Sequence, residues 1–446
     1  MAKYSSIEQW VDFVKRSPHE FSIQYPPRPA FFMENFAVQP DGLLLVPNTV
    51  PGLLYIHIPF CESKCSYCVF ATEQKLDHEV MDFYVQSVLM EIENNPRLHL
   101  NQVECIDVGG GTPTVLPARL LEKLLARLSC VGSCNAIGAR SIETTPIQLG
   151  NNPDKIQIIH DHGFHRISMG VQTTSDLVLG KARRKQTWHH VERANDLIRK
   201  ADFHRLNMDL IFGLPGQSLL DWKEDIASVA VLRPDSITAY DCIYRGSGDR
   251  LIGEIEATPQ LELLQEMYDW AYEYLTTSGY HADYGSVNFS LHLGESGTSR
   301  YFERRLLWGD HYIGIGNYAT SLVDGHWMFN FYNVNRYIEN VLQGGQPIEY
   351  CYILPPEERY AKYVLFSLNF GILMPERFYQ LFGRGIDSVY GPELNYAEEK
   401  GWIVRRPNRI SVANGQFSNL YFLRSLLYSS KAKEWFMAWC RDESKA

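Results

Sequence analysis

Between residues 51 and 245 the chain alternates between two kinds of hydrophobic pattern. Short apolar runs at 53–60, 105–108, 141–143, 166–171, 206–212 and 236–243 have the length of strands. Amphipathic stretches at 79–94, 118–128, 153–162, 189–200 and 219–232 have helical spacing. Six strands separated by helices predict parallel βαβ units with right-handed crossovers. Six units are too few to close an eight-stranded barrel, so the predicted fold is α/β, an open, partial (β/α)6 barrel. Loops after the strands of such folds collect the chemistry.

The flanks read differently. Residues 1–50 form an irregular lead-in with one short helix, and Tyr25-Pro-Pro-Arg-Pro29 favours an extended path. This segment is expected to wrap the main domain. A long helix is predicted at 258–279, and the Gly-, Tyr-, Asn- and Trp-rich segment 280–335 is expected to pack across the barrel mouth. Helices at 357–368, 375–382 and 389–400 followed by strands at 402–406 and 410–413 give a winged-helix-like α+β order, read as a lid over the active site. The predicted divisions are 1–50, a core at 51–257, a capping extension at 258–350 and a C-terminal lid domain at 351–446.

Composition narrows the function. Across 446 residues, 45 % apolar content permits a large core, and a net charge of −10 argues against general nucleic-acid binding. No run of about 18 apolar residues predicts a transmembrane helix. The first residues lack the apolar core of a signal peptide, so the cytosol (a cytoplasmic enzyme) is the simplest location. Nine cysteines in a chain this long do not make a disulfide scaffold, and a reducing compartment suits thiolate ligands. The 13 % aromatic content serves packing, or a flat, partly polar pocket for a planar substrate.

Directly after the first predicted strand comes Cys61-Glu-Ser-Lys-Cys65-Ser-Tyr-Cys68. Three thiolates on one loop can hold three irons of a cubane cluster, and no fourth cysteine follows, which leaves one iron open to a ligand. A zinc site would need a fourth ligand, for which Cys105, Cys130 or Cys134 are available in the sequence. After the second strand, Gly109-Gly-Gly-Thr-Pro-Thr114 lets backbone approach a ligand closely, with free N–H groups that can cradle a carboxylate.

Together these motifs resemble the radical S-adenosylmethionine (SAM) superfamily, in its oxygen-independent coproporphyrinogen III oxidase, or HemN-like, group. Tyr55-Ile-His-Ile-Pro-Phe-Cys61, the glycine motif, Arg166-Ile-Ser-Met-Gly-Val-Gln172 and Asn207-Met-Asp-Leu-Ile-Phe-Gly-Leu-Pro-Gly-Gln217 match it in order. Similarity continues through Trp308-Gly-Asp-His-Tyr-Ile-Gly-Ile-Gly316. The resemblance implies a [4Fe-4S] cluster on Cys61, Cys65 and Cys68, with Tyr55 against the cluster and SAM. It implies that Gly110, Gly111 and Thr112 bind the SAM amino group or a second SAM, that Glu143 binds SAM, and that Gln172, Arg184 and Asp209 contact its ribose and carboxylate ends. It further implies a 5′-deoxyadenosyl radical made by one-electron cleavage of SAM, with the protein excluding water and aiming the radical. A flavodoxin- or ferredoxin-type protein would supply the electron.

Within the group the chain departs from its relatives. Porphyrinogen oxidases carry a further cysteine where this chain has Val69-Phe70, and an Asn-Tyr-Ala-His stretch where it has Asp241-Cys-Ile-Tyr244. The haem-chaperone branch carries a His-Asn pair before an aromatic-Trp pair, and the comparable stretch here, Glu303-Arg-Arg-Leu-Leu-Trp308, lacks it. By elimination, the expected activity is class C chemistry: a second SAM donates a methyl or methylene group, by methylation or cyclopropanation, to an sp2 carbon of a flat acceptor, aromatic or tetrapyrrole. The alternatives are a coproporphyrinogen-type oxidative decarboxylase, an oxidoreductase, and a haem-handling (HemW-like) chaperone. Arg166, Arg304 and Arg305 are candidates to grip a substrate carboxylate, against ordinary salt bridging. His57 is expected to pack or hydrogen-bond locally.

Overall fold

The computed structural model describes residues 6–16, 25, 29–38, 49–242, 260–283, 287–413 and 419–440. The expected strand end at 243, residues 26–28 of the proline stretch, the second half of the Asp241–Tyr244 stretch and the boundary at 257 lie outside these residues.

The six predicted strands are present as β1 (Leu53–Ile58), β2 (Cys105–Gly110), β3 (Arg140–Thr144), β4 (Arg166–Gln172), β5 (Arg205–Phe212) and β6 (Ser236–Asp241), each parallel to the next. The five helices between them also form, with Pro146–Asn151 and Asp176–Lys181 as two short additions. Helix Ala118–Ser129 shows why: Leu120, Leu121, Leu124, Leu125 and Leu128 make one apolar stripe, all fully buried against the sheet. Each such side chain contributes about 1.5–3 kcal/mol of transfer free energy.

Segment 280–335 contributes residues to the cavity and, beyond what its sequence predicts, extends the sheet at both edges. Strand β7 (Asn288–Ser290) pairs antiparallel with β6, while β8 (Tyr312–Ile315) runs parallel beside β1. Strands β9 (Thr320–Val323), β10 (His326–Asn330) and β11 (Ile348–Ile353) then continue antiparallel. The result is one 11-stranded sheet in the order β11-β10-β9-β8-β1-β2-β3-β4-β5-β6-β7. A glycine-rich, aromatic segment reads as a loop in sequence, but its short strands gain ladder bonds and buried faces only once an existing sheet edge is present.

The C-terminal region has the expected order: helix Pro356–Ser367, β12 (Ile372–Leu373), helices Pro375–Phe382 and Ile386–Glu399, and the hairpin β13 (Ile403–Arg406) and β14 (Arg409–Val412). Strand β12 joins the hairpin as a three-stranded sheet, which completes a winged-helix topology. The described residues of the N-terminal segment pack on this region and on β10–β11. The Trp10 indole N–H donates to the Ser425 carbonyl at 3.1 Å, the Tyr25 hydroxyl bonds to Glu358, and Phe32 meets Trp327 and Tyr352. Among the described residues no helix is long and apolar enough to cross a membrane.

Candidate active site

Register explains how the site forms. Tyr55 aligns with Asp107, Asp107 with Ser141, Glu143 with Ser168, and Gly170 with Asp209. Alternate residues of a strand share a face, so Tyr55, His57, Asp107, Glu143, Ser168, Asn207 and Asp209 all lie on one side of the sheet. The other side carries Ile56, Ile106, Ile142, Ile167 and Met208, fully buried beneath the helices.

The polar side opens into a cavity of about 1050 Å³. Cys61, Cys65, Cys68, Tyr55, Gly110, Gly111, Thr112, Glu143, Gln172, Arg184 and Asp209, all eleven residues predicted from sequence, line it. At the far side stand Phe302, Arg305, Trp327 and Phe366.

The cysteine loop is closed by backbone. Cys61 N–H donates to the Glu73 carbonyl at 3.0 Å and Glu73 N–H to the Pro59 carbonyl at 2.8 Å. All three thiols are free and half-buried. Burial, with neighbouring thiols adding repulsion, pushes Cys61 up to about 11 and raises Cys68. Among the described residues no three Cys, His, Asp or Glu side chains are grouped to hold a single metal ion. One zinc would draw its sulfurs to about 3.8 Å of each other, whereas a cubane keeps them apart on separate irons. Donors also face the sulfurs: Thr112 Oγ1 lies 3.6 Å from Cys61 Sγ and Arg184 Nη1 3.6 Å from Cys65 Sγ. The donor set therefore fits a cluster better than an ion. Val69 and Phe70, where a fourth thiol would follow, line the cavity instead.

The glycine motif acts differently from the sequence reading. Its N–H groups are not free: Gly110 donates to Glu143 Oε2 at 3.1 Å, Gly111 to the Ile58 carbonyl at 2.8 Å and Thr112 to the Phe60 carbonyl at 2.9 Å. The missing side chains instead make room. A Cβ on Gly109 would sit 2.7 Å from the Glu143 carboxyl, and one on Gly111 2.6 Å from the Pro59 carbonyl oxygen. The motif seats the acidic group and the cysteine loop. Its carbonyls and the Thr112 hydroxyl remain the groups able to meet an ammonium.

Around it lies a set of buried charges. Burial raises Glu143 to about 8 and Asp107 to about 7, and raises Asp209. Asp209 accepts from Ser168 at 2.9 Å and Asn207 at 2.8 Å. Arg184 donates to Gln186 at 2.7 Å, to Tyr67 at 3.1 Å and to the Gly170 carbonyl. Gln172 has φ 70°, in the left-handed region, at a shift of strand register, and its side-chain oxygen is buried without a partner. A strained residue with an unmet acceptor, facing a cavity, makes Gln172 a candidate to meet a ligand.

A sequence profile of the radical SAM superfamily matches residues 55–229, the segment that carries all eleven residues. The chain carries a radical SAM domain and is similar to HemN-like proteins. Its family brings a [4Fe-4S] cluster and SAM as cofactors. The chain is 27 % identical to the haem chaperone HemW of Bacillus subtilis over 356 residues, 78 % of this chain and 92 % of that protein. It is 27 % identical to anaerobic coproporphyrinogen III oxidase 1 of Cereibacter sphaeroides over 338 residues, 72 % of this chain and 74 % of that one. Among solved structures, coproporphyrinogen III oxidase (HemN) of Escherichia coli superposes with a TM-score of 0.71 at 20 % identity, covering 90 % of this chain and 98 % of that one, a likeness of fold. Both sequence relatives fall in the branches that the motif departures had set second, not with carbon transfer.

Other expectations resolve locally. His57 is buried, its ring 3.4 Å from the Tyr55 hydroxyl and the Ala71 carbonyl, and burial lowers it to about 4. Arg166 bonds Ser141 and the Gly297 carbonyl, and Arg304 pairs with Asp310 and Glu104, so both are structural. Asp107 and Arg305 were under-read in sequence. A carboxylate inside the apolar run Cys105-Ile-Asp-Val108 was the available signal for the first.

Proposed function

We propose that this radical SAM enzyme acts on a tetrapyrrole or a similarly flat, carboxylate-bearing molecule. The observation that carries the reading is one continuous cavity, polar on the barrel face and aromatic on the lid face. Its volume exceeds the usual range for a single small ligand, leaving room for substrate beside a cofactor. The naming of the relatives after haem and coproporphyrinogen supports the same substrate class.

In this reading Cys61, Cys65 and Cys68 hold the cluster. Glu143, Gln172, Arg184 and Asp209 orient SAM, and Tyr55 forms the wall between cofactor and substrate. When bound and given an electron by a flavodoxin- or ferredoxin-type donor, the cluster and SAM would supply radical chemistry able to take hydrogen from a substrate. The chain's own task is to exclude water: Tyr55 stacks on Tyr301, with ring centroids 5.8 Å apart, and the lid helices close the far side. Retention of the cysteine triad together with the SAM-facing residue types speaks against an inactive scaffold.

The test is anaerobic turnover of the reconstituted, reduced protein with coproporphyrinogen III. Release of 5′-deoxyadenosine with carbon dioxide supports oxidative decarboxylation. S-adenosylhomocysteine appearing beside deoxyadenosine would reinstate carbon transfer from a second SAM. Stoichiometric haem binding with no deoxyadenosine would make the chain a carrier.

A further inference from the structure

One wall of the cavity carries Arg305, with Lys362 close behind it, and among the described residues neither forms a salt bridge. Arg305 belongs to the π-helical turn Glu303–Leu307, in which Trp308 N–H reaches back to the Glu303 carbonyl at 3.3 Å. Wide turns of this kind are frequent at functional sites. This one sends successive arginines in different directions. Arg304 meets Asp310 at 2.7 Å, whereas Arg305 faces the cavity.

There Arg305 forms no salt bridge among the described residues. Its guanidinium lies 4.3 Å from the centroid of Tyr312, and its contacts with the Tyr301 and Tyr312 hydroxyls are long, at 3.4 and 3.5 Å. Its Nε is buried with no hydrogen-bond partner. Asp107 is the carboxyl within electrostatic reach, and Ser299 holds one of its oxygens at 2.5 Å.

Lys362, on helix Pro356–Ser367, is 3 % exposed, and its ammonium has no hydrogen-bond partner. It is sandwiched between Trp327 at 3.7 Å and Phe366 at 3.9 Å, both cavity-lining rings. Burial, with Arg305 nearby, pulls its pKa well below the ordinary lysine value. An unpaired buried ammonium beside an unpaired guanidinium costs several kcal/mol unless an anion joins them. The flanking rings supply cation–π contact, but they leave the donors unused.

We propose that Arg305, backed by Lys362, is the anchor for a carboxylate of the flat substrate, gripping one edge while the rest of the molecule lies against the aromatic wall and points at the cofactor end. The proposal rests on the substrate reading above, and it names which residues recognise the acid. Arg305 offers a fork suited to a carboxylate, and the low-dielectric wall strengthens the pair.

Two fluorescent probes separate the two ideas. Pyrenebutyrate is flat and carries one carboxylate without being a tetrapyrrole; coproporphyrin III is a tetrapyrrole with four. Each is titrated, beside its methyl ester, into the cluster-reconstituted full chain under anaerobic conditions. Both acids are expected to bind more tightly than their esters. Arg305→Gln and Lys362→Met should each weaken the acids by about 10- to 100-fold, leave the esters unmoved and keep SAM binding, which shows that the fold is intact. Failure of pyrenebutyrate to bind, equal binding of acid and ester, or unchanged acid binding by Arg305→Gln would overturn the anchor. Pyrenebutyrate behaving as expected while coproporphyrin III does not bind keeps the anchor and removes the tetrapyrrole reading.

Discussion

On one side of the cavity Glu143, Gln172 and Asp209 stand on adjacent parallel strands, each a few residues from a motif that sequence displays. At the other end Arg305 and Trp327, with Lys362 behind them, come from a π-helical turn, a β-hairpin strand and a lid helix. The first end is specified by a period of two along strands whose neighbours pair in register. The second exists only because the sheet continues past β1 and the lid closes on it. Chemistry common to a family sits where local pattern suffices, and substrate recognition sits where distant segments meet.

The comparison can be broken most severely at the cysteines. Cys61→Ala, Cys65→Ala or Cys68→Ala should each abolish the visible absorbance of the reconstituted cluster and reduce deoxyadenosine formation to background. Probe binding at the far wall should persist. If it vanished as well, the two ends would not be separable.

Next in size is the seating of Glu143. A methyl group on Gly109 must displace that carboxyl, at a cost of about 1–3 kcal/mol. Gly109→Ala should weaken SAM binding measured by equilibrium dialysis. It should leave binding of the acidic probes unchanged.

A pH profile sharpens the picture. The folded-state pKa of Glu143, about 8, lies above its ordinary 4.5, so the folded protein holds the extra proton across that window. Stability from this group is present below about 4.5 and is lost as pH rises towards about 8. Asp107 and Glu91, each raised to about 7, act in the same direction. Buried His57, lowered to about 4, acts in the opposite direction below about 6.5, so the expected fall is read between about 6.5 and 8, as the melting temperature of cofactor-free protein compared with that of Glu143→Gln. Glu143→Gln should flatten the last part of the fall, and Glu91→Gln an earlier part. A profile that rose with pH in that window would contradict the buried-acid description.

The smallest effect concerns the lid's attachment. Tyr25→Phe removes a hydroxyl from buried Glu358, which keeps Ser429 at 2.7 Å as a partner. A loss of about 1–3 kcal/mol in stability is expected by denaturant unfolding, with SAM binding unchanged.

The cysteine triad was legible from its spacing, and the remaining predicted site residues came from the resemblance to a family, all of them lining one cavity. The six core strands and their helices were legible in the chain, because parallel strands buried on one face and polar on the other leave a periodic trace. The winged-helix order of the lid was legible for the same reason. The strands of the 280–335 segment were not. Their residues favour loops until a sheet edge offers partners. Nor did the chain show that the glycine N–H groups are already engaged, since hydrogen-bond closure depends on Ile58 and Phe60 arriving from another strand end. The two arginines 304 and 305 were indistinguishable as letters. Only the fold turned one towards Asp310 and the other into the cavity, because the direction of a side chain on a wide turn is set by what packs around it. Sequence by itself determined the cofactor chemistry, through residues fixed by short-range spacing. Tertiary structure decided the substrate wall, because its charges and rings lie far apart along the chain and become neighbours only when the sheet and lid are assembled.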